Sequence, residues 1–188
     1  MTGRGNIRRT EEIDINENAM NDAGDGVRVM ITGHGADGEA IVVGDRRAPA
    51  LGTTMGTTFH MLWGTDDQPT YPDNGSERDG LAPMPPPGGI RLVETVVLPA
   101  ADGAPAGEVA EGLYQREGDA PGMHITPSLD LVVVLEGEVW MELSGGETVH
   151  LRAGDYLVQN GTRHAWHNYT STPARLGVVV VGAMHSGL

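Results

Sequence analysis

The chain has 188 residues, with 28 Gly, 12 Pro, no Cys and no Lys, and a formal net charge of −14. Without Cys there is no disulfide framework, thiolate nucleophile or iron–sulfur cluster. Without Lys there is no Schiff base and no phosphate-cradling lysine. The charge repels a nucleic-acid backbone or an anionic membrane surface, and no apolar run approaches a membrane span or a signal peptide, so a cytoplasmic protein with neither partner is expected.

Residues 1–26 mix Arg, Glu, Asp and Asn with isolated apolar residues and read as a disordered arm. Order is expected from Val27. Val27–Ile31 and Glu39–Val43 flank a turn at His34–Gly38, and Thr57–Trp63 is a further strand. Residues 64–89 hold Pro69, Pro72, Pro83, Pro85, Pro86 and Pro87, which marks either a lid or a solvated excursion. Together, 27–89 form strands and a Pro-rich loop packed on the main domain.

From Ile90 the strands crowd. Arg91–Leu98 precedes a Gly/Ala/Pro-rich connection to Gly122. Then come His124–Thr126, Leu129–Leu135, Glu138–Leu143, Glu147–Leu151, Tyr156–Gln159, Arg163–Asn168 and Arg175–Val181, with turns between them. Short strands at this spacing predict an all-β antiparallel sandwich or small barrel over 90–182, with 183–188 as a tail.

Alternate residues of a strand share a face. His124 and Thr126 therefore lie together, as do Asp130, Val132 and Val134, and as do His164, Trp166 and Asn168. Ala165, His167 and Tyr169 point the other way. Two His and an Asp in an otherwise apolar interior must pair with each other, with water, with substrate or with a metal, because unpartnered burial is costly. A core pair without metal is one reading and a binding site is the other. Of the remaining histidines, His150 is expected outward, His34 at a turn tip and His185 at the end. His60 is either barrel-lining or packed. Met141 and Trp166 are candidates for the substrate pocket. Trp140, if exposed, marks a subunit interface. Arg91 is a candidate to grip a substrate carboxylate at the barrel mouth.

The run Gly118-x5-His124-x-Thr126-x3-Asp130-x6-Gly137 resembles the first motif of the cupin superfamily, which has Gly, His-x-His, Glu and Gly at those spacings. The run Gly154-Asp155-x3-Gln159-x-Gly161-x2-His164-x3-Asn168 resembles the second. Thr126 stands where the family has its second His, Asp130 where it has Glu, and Gln159 where it has Pro. The resemblance implies a jelly-roll barrel (double-stranded β-helix) with extra N-terminal strands, and commonly a homodimer. It also implies a metal set of His124, Asp130 and His164 for a divalent transition metal: Fe(II), Mn, Ni, Co or Zn.

The function expected is an enzyme on a small organic molecule, whether aromatic, polyketide-like or a carboxylic acid. Dehydration, decarboxylation or isomerisation comes first, with Asp130 or His164 as base and Thr126 assisting. An Fe(II)-dependent dioxygenase with the same site, or a binding protein without turnover, are the alternatives.

Overall fold

A computed structural model describes residues 26–99, 112–184 and 186. Residues 1–25, part of the connection after Leu98, and His185 lie outside the described residues, so the expected N-terminal arm is not described beyond Gly26. The described chain is all β, and every strand pair is antiparallel. No helix among the described residues is long and apolar enough to cross a membrane.

The strands are β1 (Val27–His34), β2 (Ala40–Ala48), β3 (Gly52–Thr54), β4 (Thr57–Thr65), β5 (Ile90–Val97), β6 (Ser128–Glu136), β7 (Glu138–Leu143), β8 (Thr148–Arg152), β9 (Tyr156–Gln159), β10 (His164–His167) and β11 (Ala174–Gly182). β1 and β2 form a hairpin. The other strands make a six-stranded sheet in the order β3-β4-β5-β11-β6-β9 and a three-stranded sheet in the order β10-β7-β8. Nearly all of the expected strands are present, within a few residues at each end. The exceptions are β3, which was not expected, and His124–Thr126, where bridges form without a continuous strand.

Alternation decides which face is inside. On β6 Ser128, Asp130, Val132 and Val134 are buried, whereas Leu131 and Leu135 are exposed. Val132 and Val134 join Val97, Val139, Leu151, Ala174 and Leu176 in the main core between the two sheets. A smaller core holds Val29, Ile31 and Ala48 of the hairpin against Leu62 and Trp63 of β4. Asn168, almost fully buried, ties the barrel end together. Its Nδ2 donates to Val97 O (3.0 Å) and Thr172 O (2.8 Å), and its Oδ1 accepts from Thr170 N (2.9 Å).

The Pro-rich segment between β4 and β5 is anchored to the barrel at both ends. Its anchor is Arg91, which is completely buried. The guanidinium donates to Ala82 O, Thr65 O, Ile90 O and the Asp66 carboxylate at 2.6–3.0 Å. At the far end, Gly88 and Gly89 exchange backbone bonds with Gly182. That approach requires glycine at 182, because a Cβ there would sit 2.0 Å from Pro86 O. Arg91 is therefore no substrate grip: its donors are spent on the loop.

Removing the guanidinium while keeping the bulk of the stem tests this. Arg91→Met should cost about 2–4 kcal/mol in urea unfolding, since it leaves buried carbonyls unpaired. It should also open residues 66–88 to limited proteolysis. A stability unchanged from wild type would contradict the anchoring role.

Candidate functional site

The site is built on one reciprocal backbone contact. His124 N donates to His164 O at 2.8 Å, and His164 N donates to His124 O at 3.0 Å. Residues that exchange both bonds lie directly opposite, with side chains on the same face. The two imidazole centroids are consequently 4.4 Å apart.

Each ring is oriented by a carbonyl two residues earlier in the chain. His124 Nδ1 lies 2.8 Å from Gly122 O, and His164 Nδ1 lies 2.9 Å from Thr162 O. A carbonyl oxygen only accepts, so both Nδ1 atoms carry the hydrogen and both Nε2 atoms keep a lone pair. Burial pushes the His124 pKa down, against the bond to Gly122 O. Burial, and then the nearby His124, lower His164 to about 4. At neutral pH both rings are neutral.

Asp130 comes to the same cavity from β6. Its Oδ2 accepts from Thr126 Oγ1 at 3.3 Å, while Oδ1 is buried with no hydrogen-bond partner. Burial raises its pKa, and the neighbouring Ser128 and Thr126 hydroxyls pull the other way. The environment thus moves the carboxyl and the imidazoles toward one another in proton affinity.

Gln159, paired in register with Asp130 on β9, is a positioning residue to which motif reading gave no role. Its Oε1 accepts from Thr162 N (3.0 Å) and Thr162 Oγ1 (2.7 Å), which fixes the residue whose carbonyl orients His164. The signal available in the sequence was its place at the family's proline. Gly161 lets this loop close on Thr126: its φ is +61°, and a Cβ would lie 2.9 Å from Thr126 O.

The cavity has a volume of about 620 Å³. His124, Thr126, Asp130, Gln159, His164 and Trp166 form its polar part, with the Trp166 ring edge-on to His164. Elsewhere it is walled by apolar side chains, among them Phe59, Met61, Val132 and Val178. Thr54 and Met55 of the β3–β4 hairpin, Pro83 and Met84 of the Pro-rich segment, and Leu113 also line it. Of these last residues, sequence patterning names Pro83 alone, as part of the Pro-rich segment.

Three of the expected pocket residues lie elsewhere. Arg91 holds the loop, as described above. His60 is on the opposite face of β4 from Phe59 and Met61, with Nδ1 3.1 Å from Ala48 O. Met141 is buried on β7 but does not line the cavity. Outside the barrel, His150 and His167 meet Glu138 and Glu142 at 2.7 and 2.9 Å. His150 also stacks on half-buried Trp140, 4.2 Å between centroids.

The expected ligand set does not close. The two free Nε2 atoms and the unpartnered Asp130 Oδ1 are suitable donors by type. Among the described residues, however, no three His, Asp or Glu side chains lie close enough to share one ion. As arranged, the residues do not fit a metal centre with three protein ligands.

Comparison with known proteins agrees with the motif reading. A family described as the cupin domain matches residues 113–181. The phomopsin biosynthesis cluster protein C' of Diaporthe leptostromiformis is 35% identical over 117 residues, covering 61% of this chain and 54% of that protein. The cupin-domain-containing oxidoreductase srdB of Neurospora crassa is 31% identical over 156 residues, covering 78% of this chain and 68% of that protein. The polyketide cyclase RemF from Streptomyces resistomycificus superimposes with a TM-score of 0.43 at 19% identity, over 71% of this chain and 72% of that one. The chain spans about half the length of the phomopsin-cluster relatives it matches. With both motifs placed on an antiparallel barrel, and with a relative matched over two thirds of its length, the chain belongs to the cupin superfamily.

Proposed function

We propose that the protein is an enzyme that moves protons on a small organic molecule held in the barrel, in a dehydration, decarboxylation or isomerisation. One observation carries this reading. Two neutral imidazoles with free Nε2 atoms and a carboxyl of raised pKa line one largely apolar cavity. In a dehydration, His164 Nε2 takes the proton next to a carbonyl. The electron pair forms the new double bond, and the Asp130 carboxyl protonates the leaving hydroxyl, which departs as water. The charged His164 and Asp130 then exchange the proton through solvent or the next substrate. Thr126 keeps the Asp130 carboxyl oriented, and Trp166 bounds the site beside His164.

A second reading is oxidation of the same class of molecule, supported by the name of the Neurospora relative, a cupin-domain-containing oxidoreductase. It would call on a divalent transition metal, of which Fe(II), Mn, Ni, Co and Zn are the candidates, held by His124 and His164 with a third ligand that the described residues do not bring within reach. A second copy of the chain is a further proposed partner. The β1–β2 hairpin exposes Met30, Ile41, Val42 and Val43, and the outer face of β6 and β9 exposes Leu131, Leu135, Tyr156 and Val158. One chain thus offers two apolar surfaces that a homodimer would cover.

The two chemical readings separate in one experiment, in which the protein is incubated with metabolite extract from a strain lacking it. The proton-transfer reading expects conversion that survives dialysis against EDTA and exclusion of O₂, incorporates deuterium from D₂O, and falls about 10²–10⁴-fold in His164→Ala. Conversion that stops without O₂ or after chelation, with a first-row metal found by elemental analysis, supports oxidation instead. Sedimentation should give twice the 19.8 kDa chain mass, and Val42→Glu with Val158→Glu should halve it.

Protonation also sets the stability of the fold. An imidazole whose pKa is lowered by folding stabilises the protein fully above its unfolded value of 6.5, and that contribution is lost as pH falls toward the folded value of about 4. His164 alone should account for up to about 3 kcal/mol of lost stability across this window. Asp130 acts in the opposite sense: its raised pKa favours the fold below its unfolded value of 3.8, and this is lost as pH rises through the folded value. Urea unfolding between pH 7 and 4 should therefore steepen downward, and His164→Asn should flatten the profile.

A further inference from the structure

The cavity has a closed end and an open one. Of the residues that line it, His124, Thr126, Gln159 and His164 are buried. Leu51, Thr53 and Pro83 line it too, but they are exposed, so they mark the mouth. Met55 and Met84, next to them in the chain, are half-buried and also line the cavity. The closed end is therefore polar, and the mouth is largely apolar and carries no charged side chain among these residues.

Met55 stands at this mouth against the preference of its backbone. Among the described residues it is the only one other than glycine at positive φ, 49°. With Gly56 at 71° it forms the two-residue turn between Thr54 and Thr57, of the type I′ kind. Such a turn favours Asn, Asp or Gly at its first central position, because other side chains crowd the backbone there. The turn is held in place. Leu51 N donates to Phe59 O at 2.8 Å, Leu98 N donates to Gly56 O at 2.9 Å, and the Thr53 and Thr58 hydroxyls lie 2.7 Å apart. Packing does not repay the strain, since Met55 belongs to neither hydrophobic core. Residues held in such conformations cluster at ligand sites, where the side chain is needed in one place.

We infer that Met55 is a specificity-determining residue, whose side chain contacts the apolar outer end of the bound molecule and so selects molecules long enough to reach the mouth. The class that fits is amphiphilic: a ring system with its polar group at the closed end and an apolar extension toward Met55 and Met84. A thioether side chain packs adaptably on such an extension, aromatic or aliphatic. The volume of about 620 Å³ lies within the roughly 300–1,000 Å³ of pockets that hold drug-sized ligands, so a molecule that fills it spans both ends. This rests on the same cavity as the proton-transfer reading and deepens it, by naming what selects the substrate.

Two naphthols of different length test the inference by equilibrium dialysis, read by naphthalene fluorescence. The full chain should bind 6-butyl-2-naphthol about tenfold more tightly than 2-naphthol. Met55→Gly should weaken 6-butyl-2-naphthol about three- to tenfold and 2-naphthol by less than about twofold, because only the longer probe reaches the mouth. Its urea unfolding midpoint should be unchanged or higher, since glycine suits the positive φ. Met55→Leu, which keeps an apolar side chain of similar size, should hold both affinities within about twofold of wild type. Equal binding of both probes by Met55→Gly and wild type overturns the inference. So does an equal loss for both probes, or a lower unfolding midpoint in Met55→Gly, which would make the side chain a packing element. Failure of both probes to bind wild type up to their solubility limits overturns it, as does binding that disappears in Val42→Glu with Val158→Glu, which would place the probes on the outer surface. The readouts are binding and unfolding, so the two proposals fail separately. Length selection by Met55 without any turnover of metabolites removes the enzyme and keeps the role of Met55. Turnover of metabolites with no effect of Met55→Gly on either probe removes that role and keeps the enzyme.

Discussion

The paired backbone bonds between His124 and His164 are the constraint on which the site depends. They join the segment before β6 to β10, two stretches of chain that belong to different parts of the barrel. Once they form, the side chains must share a face, and the carbonyls of Gly122 and Thr162 then fix which nitrogen of each ring is free. A strong base is not the product of this arrangement. It yields two weak ones whose lone pairs persist at neutral pH because burial forbids their protonation. Gln159 and Gly161 serve the same contact from the neighbouring loop, one by holding Thr162 and the other by letting the backbone come close to Thr126.

The part of the site that was legible in the sequence is the part governed by strand parity and motif spacing. His124, Thr126, Asp130, His164 and Trp166 all line the cavity, as alternation required. Arg91 shows where parity stops. It has the parity of Val93 and Thr95, which do line the cavity, and it too is buried. At its end of β5, however, the space is filled by the Pro-rich segment, and no count along β5 reveals a loop that folds back from β4. His60 has the opposite parity to its cavity-lining neighbours and therefore reaches the hairpin instead. Met141 shares the inward face of β7 with Val139, yet inward on that strand means core and not cavity.

The fold was read in the same way, well in its strands and poorly in its closures. β3 is only three residues long, and its turn to β4 runs through Met55 and Gly56, both at positive φ. Such turns are normally announced by Asn-Gly or Asp-Gly, and Met-Gly carries no such signal. A methionine at φ 49° is uncommon, and this one lines the cavity at the hairpin tip. The Pro-rich segment was open to two readings, lid or solvated excursion. The buried guanidinium of Arg91 and the backbone exchange with Gly182 tie it down at both ends, while residues 66–80 between them are nearly all exposed. Its contribution to the site is Pro83 and Met84, which line the cavity.

The shortage of positive charge links the composition to the chemistry. Any reaction that develops an anion in this cavity meets no lining arginine among the described residues, no lysine and only neutral imidazoles. A free enolate or alkoxide would stand as an unpaired charge in an apolar enclosure, with a high barrier to its formation. Proton delivery must then keep pace with proton removal, so that negative charge never fully builds up. That requires an acid and a base facing the same molecule at the same time. A carboxyl whose pKa is raised by burial and imidazoles whose pKa values are lowered by it meet this need. The same desolvation that makes the site costly to build would supply both partners for the proposed proton transfer.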